Sequence, residues 1–135
     1  MTAPAAIRRL QPEARLCGAT VHGGTVYLAG QVADDPSQDA EGQTADILRQ
    51  IDALLAEAGT DRRNLLMVQI FIADLADFDA MNRAWDAWID PAHLPARATV
   101  QAKLHHPAWR LEITATAALP TPTLPTPTLP TPTLP

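Results

Sequence analysis

Residues 65–73 read LLMVQIFIA, an apolar run broken only by Gln69. A run of this length that does not alternate fits a strand buried on both faces, at the centre of a sheet. It is far shorter than the roughly 18 to 20 apolar residues that span a bilayer. The segments on either side are periodic at 3.6 residues. Residues 43–59 place Ile47, Leu48, Ile51, Leu54, Leu55 and Ala58 on one face, with Asp46, Arg49, Gln50, Asp52 and Glu57 opposite, and Gly59 suits the C′ position. Asp77 is placed to cap a second helix with the stripe Phe78, Met81, Ala84, Trp85 and Trp88, ended by Pro91. Each helix has one stripe to bury, so both can cover the same face of a single sheet.

The remaining strands come from alternation. His22-Gly23-Gly24-Thr25 is a two-glycine turn between strands at 15–21 and 26–31, and residues 7–10 supply a short first strand. In residues 97–104 the apolar set is Ala98, Val100, Ala102 and Leu104; in 109–117 it is Trp109, Leu111, Ile113, Ala115 and Ala117. Joined by a turn at 105–108, these two predict an antiparallel hairpin with Leu104 facing Trp109 and Gln101 facing Glu112. The expected fold is α+β, a single mixed sheet in the order β-β-β-α-β-α-β-β. Its second face, lined by Arg97, Thr99, Gln101, Glu112, Thr114 and Thr116 with Leu65, Met67 and Phe71, has no helix to cover it. Such a face commonly becomes an interface between copies.

Composition sets the outer bounds. Residues 119–135, LPTPTLPTPTLPTPTLP, hold seven of the 13 prolines, which leaves residues 1–118 as one domain and marks 119–135 as a disordered Pro/Thr tail of polyproline II character. The first residues lack the apolar core of a secretory signal, and a cytoplasmic protein is expected. A lone cysteine, Cys17, excludes an internal disulfide and any multi-thiolate metal site. His105-His106 lie in a turn with no third ligand at usable spacing, so no metal is expected. The net charge is −5, and residues 16–90 carry 13 acids against four bases. That balance argues against a nucleic-acid groove and leaves room for a local anion pocket near the more basic ends.

Five segments in order, VYLAGQV (26–32), EGQTADILRQIDALLAEAG (41–59), DFDAMNRAWDAW (77–88), LPARATVQA (94–102) and LEITATA (111–117), resemble the RidA/YjgF family of small trimeric proteins. The wording is nearest its YoaB-like branch. The resemblance implies a chorismate-mutase-like homotrimer with sites in clefts between subunits. It also implies cofactor-independent hydrolysis of small enamines and imines, such as 2-aminoacrylate and 2-iminopropanoate, to 2-oxo acids and ammonia. Neither nucleic acid nor membrane is an expected partner. A ribonuclease or translation-inhibitor role, claimed for some relatives, is disfavoured by the acidic balance. A trimeric sensor that binds small 2-oxo acids without turnover is the alternative reading.

By that resemblance Arg97 binds the substrate carboxylate, a task that suits the parallel N–H pair of a guanidinium. Glu112 falls where a carboxylate would activate water and shuttle a proton, and Gly30 where backbone approaches the ligand. Thr99 stands where many members have cysteine, and its hydroxyl would hold water or the substrate nitrogen. Asn82 matches a family asparagine and is read as structural. Leu16 and Cys17 occupy the loop in which the family often has an aromatic wall, so that wall is missing here. In the hairpin register Arg97 and Glu112 share a face about 13 Å apart along the strand, a gap for a three- or four-carbon acid.

Overall fold

The computed structural model describes residues 6–121. Its elements are β1 (Arg8–Pro12), β2 (Cys17–His22), β3 (Thr25–Gln31), α1 (Ala40–Ala58), β4 (Leu65–Ile72), α2 (Phe78–Trp88), β5 (Ala96–Gln101) and β6 (Leu111–Ala118). The element order follows the sequence reading, and the six strands form one mixed sheet ordered β1-β2-β3-β6-β4-β5. Gly23 and Gly24, at φ of 58° and 83°, close the β2–β3 hairpin, a conformation that an L side chain resists.

Helix α1 starts three residues before the predicted position because the Asp39 carboxylate accepts the Gly42 amide at 2.8 Å and caps it at Ala40. At the other end Gly59 takes the left-handed conformation (φ 98°) and donates to Leu55 and Ala56. The stripe Ile47, Leu48, Ile51, Leu54 and Leu55 packs on Val26, Leu28, Val68, Ile70, Ile113 and Ala115 from the sheet, all buried. Asp46 departs from the solvated face assigned to it. It is 7% exposed and accepts the Asp34 amide at 2.8 Å, so it ties the loop after β3 to α1. At α2, Asp77 holds the N-cap position without a capping bond and instead pairs with Arg110 at 3.1 Å. Phe78, at 38% exposed, leaves the stripe, while Met81, Ala84 and Trp85 are buried.

The predicted β5–β6 hairpin does not form. Strand β5 lies parallel to β4, and β6 inserts antiparallel between β3 and β4. Alternation had assigned faces within each strand but carried no information about neighbours, and α2 supplies the crossover that a parallel β4–β5 pair needs. Residues 102–110 therefore cross the end of β4, where Ala102 donates to Ile72 and Ala73 donates to Arg110, and both strands stop short of the turn.

This pairing also divides the face expected to be uniform. Arg97, Thr99 and Gln101 are level with Val68, Ile70 and Ile72, on the side that the helices cover. Glu112 is level with Phe71, Thr114 with Gln69 and Thr116 with Met67, on the open side. Leu65, expected on the open side, is 5% exposed beside Ala117, and Leu66 is 49% exposed in its place. Tyr27 and Val100 add about half-exposed apolar surface to that open face.

Candidate functional site

Arg97 enters β5 at the edge of the sheet, beneath α2. Its Nη1 donates to Asn82 Oδ1 at 2.8 Å, and its guanidinium carbon lies 5.1 Å from the centre of the Trp85 ring. Asn82 and Trp85 are three residues apart on α2 and so share one helix face. Together they fix the plane of the guanidinium: one N–H edge is held by an amide and one face by an indole. Among the described residues no carboxylate comes within ion-pair distance of Arg97, which lines a depression of about 570 Å³ together with Asn82, Trp85, Asp86, Ile89, Pro91 and Leu94. A half-buried cation, pre-oriented and lacking an internal acid, is suited to an external carboxylate.

Glu112 and Gly30 form a second group. Leu28 pairs with Ala115 and Gln31 with Ile113, so Ala29 and Gly30 bulge opposite Thr114. The Glu112 carboxyl lies over the bulge: a Cβ on Gly30 would stand 2.9 Å from its Cδ. Gly30 has no need of positive φ here; what it supplies is room. Glu112 makes no hydrogen bond or ion pair among the described residues, and the partners available to a solvated strand glutamate, Lys103 and Arg110, do not take it, since Arg110 is held by Asp77. The β2–β3 register, Ala19 with Leu28, continued by two residues brings Cys17 level with Gly30. Cys17 is half-buried, and Leu16 beside it is 54% exposed.

The predicted site residues therefore fall into two groups. Gly30, Glu112, Leu16 and Cys17 gather at one end of the β2-β3-β6 half of the sheet. Arg97 and Thr99 lie on the far side of β4, on the other face. The shared-face gap between Arg97 and Glu112 is thereby corrected: Val68 and Phe71, their partners on β4, are three residues apart and face opposite ways. Thr99 sits two residues along β5 from Arg97, half-buried, and its hydroxyl has no hydrogen-bond partner among the described residues.

Two further residues matter to this geometry. Trp85, read from its stripe as core, also serves as the stacking wall for Arg97; its i, i+3 relation to Asn82 was the available signal. Gln43 is wholly buried, donating to the carbonyls of Pro36, Gln38 and Ala108 and accepting from the Arg110 amide at 3.0 Å. It pins the segment that leads into Glu112 against the loop that follows Gly30. Among the described residues no group of three or more His, Cys, Asp or Glu side chains is placed to hold a metal, and no helix is long and apolar enough to cross a membrane.

The family model described as "Endoribonuclease L-PSP" matches residues 6–119. The RutC family protein YoaB of Escherichia coli is 44% identical over 113 residues, which cover 84% of this chain and 98% of that protein. A rat protein named 2-iminobutanoate/2-iminopropanoate deaminase is 32% identical over 99 residues, 69% of this chain and 72% of its own. The crystal structure of NMB1025, a YjgF family member from Neisseria meningitidis, superimposes with a TM-score of 0.85 at 39% identity, covering 88% of this chain and 99% of that one. With the same sheet, the same two helices and this sequence identity across nearly the whole domain, the chain belongs to the RidA/YjgF family.

Proposed function

We propose that the protein is a cofactor-independent deaminase, hydrolysing small 2-imino acids and their enamine tautomers to 2-oxo acids and ammonia in clefts between the subunits of a homotrimer. The observation that carries this reading is the unpaired, pre-oriented guanidinium of Arg97, held by Asn82 and Trp85. The division of the site supports the assembly. One chain cannot bring Arg97 and Glu112 to the same substrate across β4, whereas in an assembly the Glu112 end of one copy can meet the β5 edge of the next, where Arg97 lies, and exposed Tyr27, Leu66 and Val100 offer apolar surface for such packing. The rat relative's name agrees with the chemistry.

In this scheme Arg97 takes the substrate carboxylate in a two-point grip and sets the C=N carbon toward Glu112 of the partner subunit. That carboxylate accepts a proton from water as its oxygen bonds to the imine carbon, and the nitrogen is protonated, giving a carbinolamine. Loss of ammonia breaks the C–N bond while the hydroxyl proton leaves, and the 2-oxo acid remains. Thr99, two residues along from Arg97, is placed to hold the nitrogen or the water. The leucine and cysteine at positions 16 and 17 leave the wall beside Gly30 without an aromatic ring, a smaller contact for the substrate side chain. No metal or organic cofactor enters the scheme.

The test is to generate 2-iminopropanoate or 2-iminobutanoate with an amino-acid oxidase and measure release of the oxo acid. Glu112→Gln keeps the shape and cannot take the proton, so the rate should fall by roughly 10²-fold or more, while affinity for unreactive 2-oxobutanoate stays close to wild type. Arg97→Ala should weaken that affinity about 10- to 150-fold, the loss of a charge-assisted pair. A non-catalytic sensor of small 2-oxo acids is the second reading. It is favoured by one observation: the carboxylate grip is complete within a chain, whereas Glu112 has no neighbour there to orient it. Binding through Arg97 with no acceleration of any small imine would decide for it.

A further inference from the structure

Residues 103–110 carry Lys103, His105, His106 and Arg110 and no acid, in a chain whose net charge is −5. Where this segment crosses the end of β4 it lines, with Ala73 and Gln101, a depression of about 760 Å³. Lys103, His105, His106 and Trp109 all border it, and no carboxylate does. It shares no residue with the depression at Arg97, and neither Gly30 nor Glu112 borders it. Arg110 is held by Asp77, whereas Lys103 and His105 have no hydrogen bond or ion pair among the described residues.

The backbone adds donors to these side chains. Ala102 donates to Ile72 and Trp109 to His106, but the four consecutive amides from Lys103 to His106 have no acceptor among the described residues. In His106, Nδ1 accepts the Ala108 amide at 3.0 Å, which leaves the ring proton on Nε2 as a further donor. The rings of His106 and His105 lie 5.5 and 6.1 Å from the half-buried Trp109, tilted by 37° and 48°, so three rings make one aromatic surface beside the donors. Water can serve each of these groups singly. What the segment supplies is their density, with no acid to compete for them.

That density decides between anions. A carboxylate offers two oxygens and one charge, whereas a phosphate monoester offers three terminal oxygens and a charge of about −1.5 to −2 at neutral pH. The rings suit an aromatic group on the ester, and the volume lies in the range of small-molecule sites. We propose that the depression bounded by residues 103–109 binds a phosphate monoester of an aromatic ring, with Lys103, His106 Nε2–H and the open amides on the phosphate and Trp109 against the ring. This site is additional to the Arg97 grip and does not rest on the deaminase reading.

The experiment titrates the full-length protein with phenyl phosphate, ethyl phosphate, inorganic phosphate and benzoate by calorimetry, in a buffer free of other oxyanions. Phenyl phosphate should bind tightest, about five-fold ahead of ethyl phosphate on the scale of one aromatic contact, with benzoate weakest. Added salt should weaken all of them. Lys103→Glu, at an exposed residue, should abolish binding of phenyl phosphate at an unchanged Tm, and Arg97→Ala should leave that binding as in wild type. Trp109→Leu should bring the phenyl ester down to the affinity of the ethyl ester; should that variant not fold, His105→Ala reads the same preference at an exposed ring and should narrow it. No binding by wild type, binding that survives Lys103→Glu or is lost in Arg97→Ala, or benzoate that binds as tightly as phenyl phosphate overturns the site. Equal affinity for the two esters and inorganic phosphate would reduce it to an unselective anion patch and overturns the ligand class.

Discussion

Gly30 and Glu112 show how much a single missing methyl can decide. The carboxyl of Glu112 rests where a Cβ would be, and it is the far end of a flexible side chain, so Gly30→Ala should move Glu112 and leave the strand in place. The expected result is a Tm within a few degrees of wild type together with deaminase activity reduced at least ten-fold, read by circular dichroism and oxo-acid release. A large fall in Tm would assign the glycine to the bulge itself. Arg97 is the opposite case, a residue whose neighbours are already in place. Its candidacy as a carboxylate anchor came from LPARATVQA, where the residue type and the resemblance agreed. The hands that hold it were not, since Asn82 and Trp85 belong to a different element and a stripe of apolar positions does not say which ring also stacks on a cation.

At the scale of elements the sequence was most informative where periodicity was longest. Helix α1, the buried β4 and the glycine hairpin all follow from patterns that have one good physical solution. Strands β5 and β6 were recognised as strands but paired wrongly, because alternation fixes which residues share a face and says nothing about which strand lies alongside. The short turn Arg62–Asn64 before β4 offers a measurable check on local electrostatics. Asp61 accepts from the Arg63 side chain at 2.9 Å and from its backbone amide, and these bonds hold its carboxyl down at about 2, from the ordinary 3.8. A depressed carboxyl contributes its stability above the unfolded value and loses it as pH falls toward the folded one. The Tm difference between wild type and Asp61→Asn should therefore be constant above about pH 5, shrink as pH falls from about 4 to about 2, and vanish below that. Thermal melts across pH 2–6 measure it, and a difference that persists at the acid end would show that Asp61 acts through something other than its charge.

At the scale of the molecule, the described contacts continue one residue past the expected end of the domain at 118. Leu119, first in the proline repeat, donates its amide to Gly24 at 2.9 Å and packs its side chain against the core, while Thr60 donates to the Ala118 carbonyl. Truncation after Ala118 should lower the Tm by several degrees, and truncation after Thr121 should not; equal melting of the two would mean that Leu119 adds nothing. The expected tail beyond it, residues 122–135, lies outside the described residues. The placement of Arg97 and Glu112 on opposite faces carries a stoichiometric prediction as well. If each cleft takes its arginine from one subunit and its glutamate from the next, Arg97→Ala and Glu112→Gln chains, both strongly impaired alone at low substrate, should regain about a quarter of wild-type activity when refolded together in equal amounts. Recovery of none would place both residues in one chain's site. On the proposed reading, activity would be a property of the population of chains: diluted below the point where copies stay together, every molecule would keep its fold and its half of the machinery, and the reaction would stop for want of a neighbour.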